Sequence, residues 1–250
     1  MTDVILVFAY GLVTALATGL GALPFTLVRS VSGLTLGHLN AVAAGLMMGA
    51  TFGLLTESTR FGGWQTFVGA NLGILFILFT NRILKEHHFH PAGAGAVDDG
   101  RREAMRRMVL IVTVMTVHSF AEGVAIGTSF GGGMTLAVFI TVAIAVHNIP
   151  EGVAISAVLR SHGVGVGRCA AWSVVSSLPQ PLMAVPAYLF VEAFEPGLPY
   201  GIGFAAGAMV FMVLLEILPE AYGQGSARRI GAVTSVAMIS MILFQRLLGG

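Results

Sequence analysis

The chain is a succession of long apolar runs separated by short polar breaks. About 20 apolar residues suffice to cross a bilayer as a helix. Eight stretches reach that length, at roughly 4–28, 39–58, 64–84, 108–130, 134–159, 168–192, 199–220 and 229–248. Most breaks between them fall at glycine, proline or charged clusters, which interrupt helices. The pattern predicts an all-α integral membrane protein of eight transmembrane helices, with residues 1–250 forming a single polytopic domain. One connection is long. It runs from Lys85 to Arg107 and holds His87, His88 and His90, a Gly-rich stretch, then Asp98 and Asp99. It reads as a flexible loop whose histidines either bind metal weakly or are incidental. Glu103 and Arg107 are spaced i, i+4, which suits a helix starting ahead of the fourth run. His38 and His162 fall in short connections and read as solvated loop residues.

Composition strengthens this picture. Hydrophobic residues make up 56% of the chain, charged residues only 10%, and mean hydropathy is +0.87. A soluble domain carries about 25% charged residues. Water could not accommodate so much apolar surface, whereas a lipid bilayer can. A net charge of +1 gives no electrostatic case for nucleic acid. The single cysteine, Cys169, excludes an internal disulfide and a cysteine-cluster metal site. The apolar N-terminal run lacks a positive leader, its only early charge being Asp3. It therefore reads as a retained helix and not a signal peptide. Glycine occupies 33 positions, which suits close helix packing in lipid.

The basic residues predict orientation. With both termini outside the cytoplasm, Arg29, Arg82, Lys85, Arg101, Arg102, Arg106, Arg107, Arg160, Arg168, Arg228 and Arg229 lie on the cytoplasmic side. Only Arg60 and Arg246 lie opposite. That bias is the one expected of an inner-membrane protein, and it requires an even number of spans.

The candidate chemistry sits on the fourth and fifth spans. One reads His118-Ser119-Phe120-Ala121-Glu122-Gly123 and the other His147-Asn148-Ile149-Pro150-Glu151-Gly152. Each places His and Glu one helical turn apart on one face. A glutamate in mid-span is costly without a partner, and so marks a functional position. Two imidazoles and two carboxylates suit zinc and similar ions, whereas calcium or magnesium would prefer an all-oxygen site. Asn148 and Ser119 add neutral oxygens. Pro150 lacks an N–H, which deprives the Val146 carbonyl of its helical donor. Glu216 lies within the seventh span, while Glu57 and Glu220 close the second and seventh. Met47 and Met48 offer thioethers in the second span, and Gln180, between Pro179 and Pro181, breaks the sixth and offers an amide oxygen. The divalent cation is expected as cargo; no ATP-binding motif is visible, so a concentration gradient or coupled ions must supply the drive. The same residue types would also serve an intramembrane zinc-dependent hydrolase, although no His-Glu-x-x-His pair and no separate general base are present.

The paired motifs, above all His147-Asn148-Ile149-Pro150-Glu151-Gly152, resemble those of the ZIP (Zrt-, Irt-like protein) metal transporters, especially the bacterial members. The resemblance covers nearly the whole chain. It implies an inverted three-two-three arrangement, in which helices one to three mirror six to eight around four and five. It implies transport of zinc first, with iron, manganese, cadmium or cobalt as other cargoes, into the cytoplasm of a bacterium, by a protein that forms homodimers in many members. His118 and Glu122 resemble the fourth-helix ligands, and His147, Asn148 and Glu151 the fifth-helix ligands. Met47 resembles the second-helix methionine, and Glu216 a seventh-helix acid along the exit path. The family builds two adjacent sites that share the two glutamates. Here Ser119 stands where asparagine is common, and Gln180 where some members have glutamate. The second site, Ser119, Glu122, Asn148, Glu151 and Gln180, is therefore expected to be weak.

Overall fold

A computed structural model describes residues 2–28, 32–86 and 99–249; Arg29, His87, His88, His90 and Asp98 lie outside them. Among the described residues every regular element is helical. The order is α1 (Thr2–Leu20), α2 (Gly33–Phe61), α3 (Gly63–Glu86), α4 (Asp99–Ser129), α5 (Met134–Ser161), α6 (Val166–Ser177), α7 (Pro179–Ala193), α8 (Leu198–Met212), α9 (Leu218–Gln224) and α10 (Ala227–Gly249). Among the described residues, seven segments are long and apolar enough to cross a membrane: Asp3–Thr26, Gly33–Phe61, Gly63–Arg82, Met134–Arg160, Val166–Ala193, Glu195–Gln224 and Ala227–Leu248. The helix α4 is not among the seven. It spans 31 residues, polar in its first turns and apolar over residues 108–130.

Several boundaries differ from the expectations of the sequence. The long connection is shorter, because α3 continues to Glu86 and α4 already begins at Asp99. An acid in the first turn and the i, i+4 spacing of Glu103 and Arg107 favour that early start. His38 is not in a loop. The Ser32 side chain caps α2 by accepting the Thr35 N–H at 3.2 Å, which starts the helix ahead of the apolar run. His162 caps the end of α5, with its ring Nδ1 2.8 Å from the Val158 carbonyl. The sixth run breaks at Leu178, ahead of Pro179, where the proline pair predicts it. The seventh contains a π-helical turn, Val213–Ile217, between α8 and α9.

Helix pairs meet at glycine. On α3, Gly69 and Gly73 lie against Tyr200 and Phe204 of α8, while Gly203 and Gly207 of α8 lie against Thr66 and Ala70. On α2, Gly45, Gly49 and Gly53 receive Thr234, Met241 and Gln245 of α10. A side chain at these positions would collide with the neighbouring helix, so the small-residue spacing sets the contact. The α5 helix packs on α1, and α4 packs on α7. This brings α4 and α5 side by side, with α1, α2, α7 and α8 around them.

Candidate metal site

The site grows from the shared face of α4 and α5. Because His and Glu are four residues apart, each helix presents both groups on one side. His118, Glu122, His147 and Glu151 are all buried, none more than 2% exposed. Glu122 Oε1 lies 3.1 Å from His118 Nε2 and 2.6 Å from His147 Nε2. Glu151 Oε2 lies 4.0 Å from His118 Nε2. Ligand atoms of His118, Glu122 and His147 all fall within 4.8 Å of one another. That spacing suits a single small cation, since zinc binds nitrogen and oxygen ligands at about 2.0–2.2 Å.

Neighbouring groups orient these ligands. His147 Nδ1 sits 3.1 Å from the Ala143 carbonyl. Donation from Nδ1–H to that carbonyl turns Nε2 toward the site, the usual outer-shell arrangement for a metal-binding histidine. Asn148 donates its amide N–H groups to the Thr14 carbonyl at 2.9 Å and to Gln180 Oε1 at 3.2 Å. Gln180 in turn donates its side-chain N–H to Glu122 Oε2. The amide of Gln180 therefore turns nitrogen, not oxygen, toward the glutamate.

Several buried donor atoms make no hydrogen bond among the described residues: both ring nitrogens of His118, Ser119 Oγ, Asn148 Oδ1 and both carboxylate oxygens of Glu151. Buried polar atoms are normally satisfied. Their clustering on α4 and α5 matches a donor set that a cation would complete.

The glycines that follow the two glutamates set the helix spacing. A Cβ at Gly152 would lie 1.7 Å from the Thr18 carbonyl oxygen of α1. One at Gly123 would lie 2.6 Å from the Gln180 carbonyl oxygen of α7. Asn148 and Gly152 thus meet Thr14 and Thr18 at matching one-turn intervals. Thr14, Thr18 and the Ala143 carbonyl escaped the sequence reading, because their part is played by backbone oxygens, which carry no residue signature.

A cleft beside the site is lined by Glu151, Met47, Met115, Ile217, Asn40 and Glu220. Met47 is fully buried and packs on Ala44, Val213 and Ile217. Glu220 accepts side-chain hydrogen bonds from Asn40 and Gln224. Glu216 lies in the π-helical turn, half-buried, and close enough to His118 for their charges to interact. Glu57 stands apart from the cluster and pairs with Arg60 at 3.0 Å. Pro150 sits inside α5, which continues uninterrupted through it.

The chain as a whole has relatives among known proteins. The sequence model of a family described as "ZIP Zinc transporter" matches residues 80–244. Zinc transporter GufA of Myxococcus xanthus is 30% identical over 237 residues, 87% of this chain and 91% of that protein. Zinc transporter ZupT of Corynebacterium glutamicum is 32% identical over an alignment covering 96% of this chain and 100% of that protein. Zinc transporter ZIP11 of Bos taurus is 41% identical over 145 residues, and the match covers only 42% of its length. A longer Arabidopsis thaliana protein is 41% identical over 93% of this chain, which spans 37% of it. The family match and the near full-length bacterial relatives together establish that the chain belongs to the ZIP zinc-transporter family.

Proposed function

We infer that this protein carries divalent transition-metal ions, zinc first, across a membrane and into the cytoplasm. The observation that carries this reading is the buried convergence of His118, Glu122 and His147, with Glu151 beside them. The ligands are His118, Glu122, His147 and Glu151, with Asn148 and Ser119 as neutral oxygens and Met47 as a soft neighbour on the cleft. Iron, manganese, cadmium and cobalt are the other candidate cargoes. Zinc tolerates a tetrahedral mix of imidazole and carboxylate, which this donor set offers.

An ion reaching the site from the extracytoplasmic side sheds water onto these four groups. It leaves by the cleft, past Met47, toward Glu216 and Glu220. The cleft opens among Leu36, Asn40, Val158 and Glu220, at the end of the bundle that the positive charge bias assigns to the cytoplasm. The hydrogen bond between His147 and Glu122 requires a proton. A metal bound to both groups requires that proton to leave, so proton and metal exclude one another there.

The architecture is one membrane domain of eight spans, counting α4 with the seven apolar segments and both termini outside the cytoplasm. The three-two-three repeat draws support from the packing. The α3–α8 pair is mirrored by α10–α2, and α4–α7 is mirrored by α5–α1. The glycine after each glutamate follows the same rule, with Gly123 against α7 and Gly152 against α1. A homodimer in a bacterial inner membrane completes the proposal. At the second site the Gln180 amide already engages Glu122, which supports a weak second metal. The hydrolase alternative has no support among the relatives, which are named as transporters.

The test is metal uptake into proteoliposomes. Wild type should accumulate zinc, whereas His147→Ala and Glu151→Ala should fall to the level of empty vesicles. Unchanged uptake by both variants would overturn the reading.

A further inference from the structure

Of the 13 Lys and Arg residues, the spans predicted from the sequence assign 11 to one side of the membrane and two, Arg60 and Arg246, to the other. Those two come from α2 and α10, 186 positions apart in sequence, yet they line the same groove. A basic residue in the last turn of a helix is favourable by itself, and both helices have one. That accounts for each arginine singly but not for their convergence.

The groove lies between the C-terminal parts of α2 and α10 and Phe139 of α5. Its polar side holds Arg60, Arg246, Glu57, Thr56 and Gln245. Arg60 reaches Glu57 at 3.0 Å through one nitrogen, which leaves its other donors available. Arg246 makes no hydrogen bond or ion pair among the described residues. Two guanidinium groups against one carboxylate leave one net positive charge. Gln245 is 4% exposed; its Nε2 donates to the Ala50 carbonyl at 3.3 Å, and its buried Oε1 has no partner. The other wall is apolar, made of Phe52, Phe139 and Ile242, with Phe52 47% exposed.

We propose that this groove binds the headgroup of an anionic phospholipid of the phosphatidylglycerol type. Its phosphodiester carries one negative charge, matching the net charge of the groove. Arginine recognises phosphate oxygens with paired donors. The glycerol hydroxyls supply a donor for Gln245 Oε1, which a choline headgroup cannot. An acyl chain would lie against the exposed ring of Phe52 on the apolar wall. Basic pockets between transmembrane helices bind anionic headgroups by the same physics.

Native mass spectrometry of the detergent-purified full chain tests this, titrating phosphatidylglycerol, phosphatidylcholine and soluble glycerophosphoglycerol in separate arms. Wild type should retain one phosphatidylglycerol in preference to phosphatidylcholine. Arg246→Gln should lower that retention roughly tenfold, the scale of a lost charge-assisted contact. Arg60→Gln should act in the same direction, and Arg228→Gln, at the opposite end, should not. If Arg246→Gln does not fold, Arg246→Lys is read in its place, since it keeps the charge and loses the paired donors. Equal retention of the two lipids, or no loss in the groove variants, would overturn the proposal. Soluble glycerophosphoglycerol binding as tightly as the lipid would overturn the lipid assignment.

Discussion

Glu122 crosses from α4 to α5 and sets its Oε1 2.6 Å from His147 Nε2. The same oxygen stands 3.1 Å from His118, so one carboxylate joins both imidazoles. Replacing it by Gln keeps the shape and removes the charge. Glu122→Gln should weaken zinc binding by more than about 100-fold, beyond what outer-shell changes produce. Isothermal titration of the detergent-solubilised protein reads this directly.

Gln180 offers the complementary experiment. Its amide N–H donates to Glu122 Oε2, and its oxygen accepts from Asn148. A carboxylate at this position cannot donate, and it adds a third negative charge beside Glu122 and Glu151. Gln180→Glu should therefore raise the bound zinc from one equivalent toward two, counted by elemental analysis after desalting. A stoichiometry that stays at one would show that Asn148 and Ser119 limit the second site.

Acid should oppose the metal. Imidazole and carboxylate must be deprotonated to bind, so affinity falls as pH falls. Zinc binding measured across a pH series should weaken steadily toward the acid side, with protons released on binding at neutral pH. The same titration in Glu122→Gln should show a shallower slope, because one competing proton site has been removed.

Met47 tests selectivity separately from folding. It is fully buried among Ala44, Val213 and Ile217, and leucine has nearly the same volume. Met47→Leu should cost less than about 1.5 kcal/mol in stability. It should lower cadmium uptake more than zinc uptake, since a thioether favours the softer ion. Competition between the two metals in proteoliposomes gives the ratio.

The glycines separate contact from propensity. A methyl group at Gly152 would meet the Thr18 carbonyl at 1.7 Å, whereas one at Gly167 meets nothing within 4 Å. Gly152→Ala should destabilise by at least about 1–3 kcal/mol, as overpacking does. Gly167→Ala, inside α6, should stabilise by up to about 1 kcal/mol through helix propensity. Thermal melts in detergent compare the two.

How far the sequence could be read follows from what each feature depends on. The spans were legible because an apolar run of membrane length has few other uses. The meeting of His118, Glu122 and His147 was legible because the i, i+4 spacing fixes a common face, and the motif occurs twice. The break ahead of Pro179 was visible in the proline pair. The π-helical turn around Glu216 was not, because no residue type marks a π-turn. Nor was the orientation of Gln180, which appeared as an oxygen ligand by residue type. Its amide turns because Asn148, pinned to Thr14, takes the oxygen. The early start of α2 depends on the Ser32 cap, a local signal outside the apolar pattern.

The bare backbone contact between Gly152 and Thr18 has a consequence for how such a protein can be retuned. The distance between α1 and α5 is gauged there by peptide groups in direct contact, a spacing that substitution can widen but not narrow. On the proposed function, preference for one cation over another would then be adjusted by exchanging the side chains that these helices present to the site.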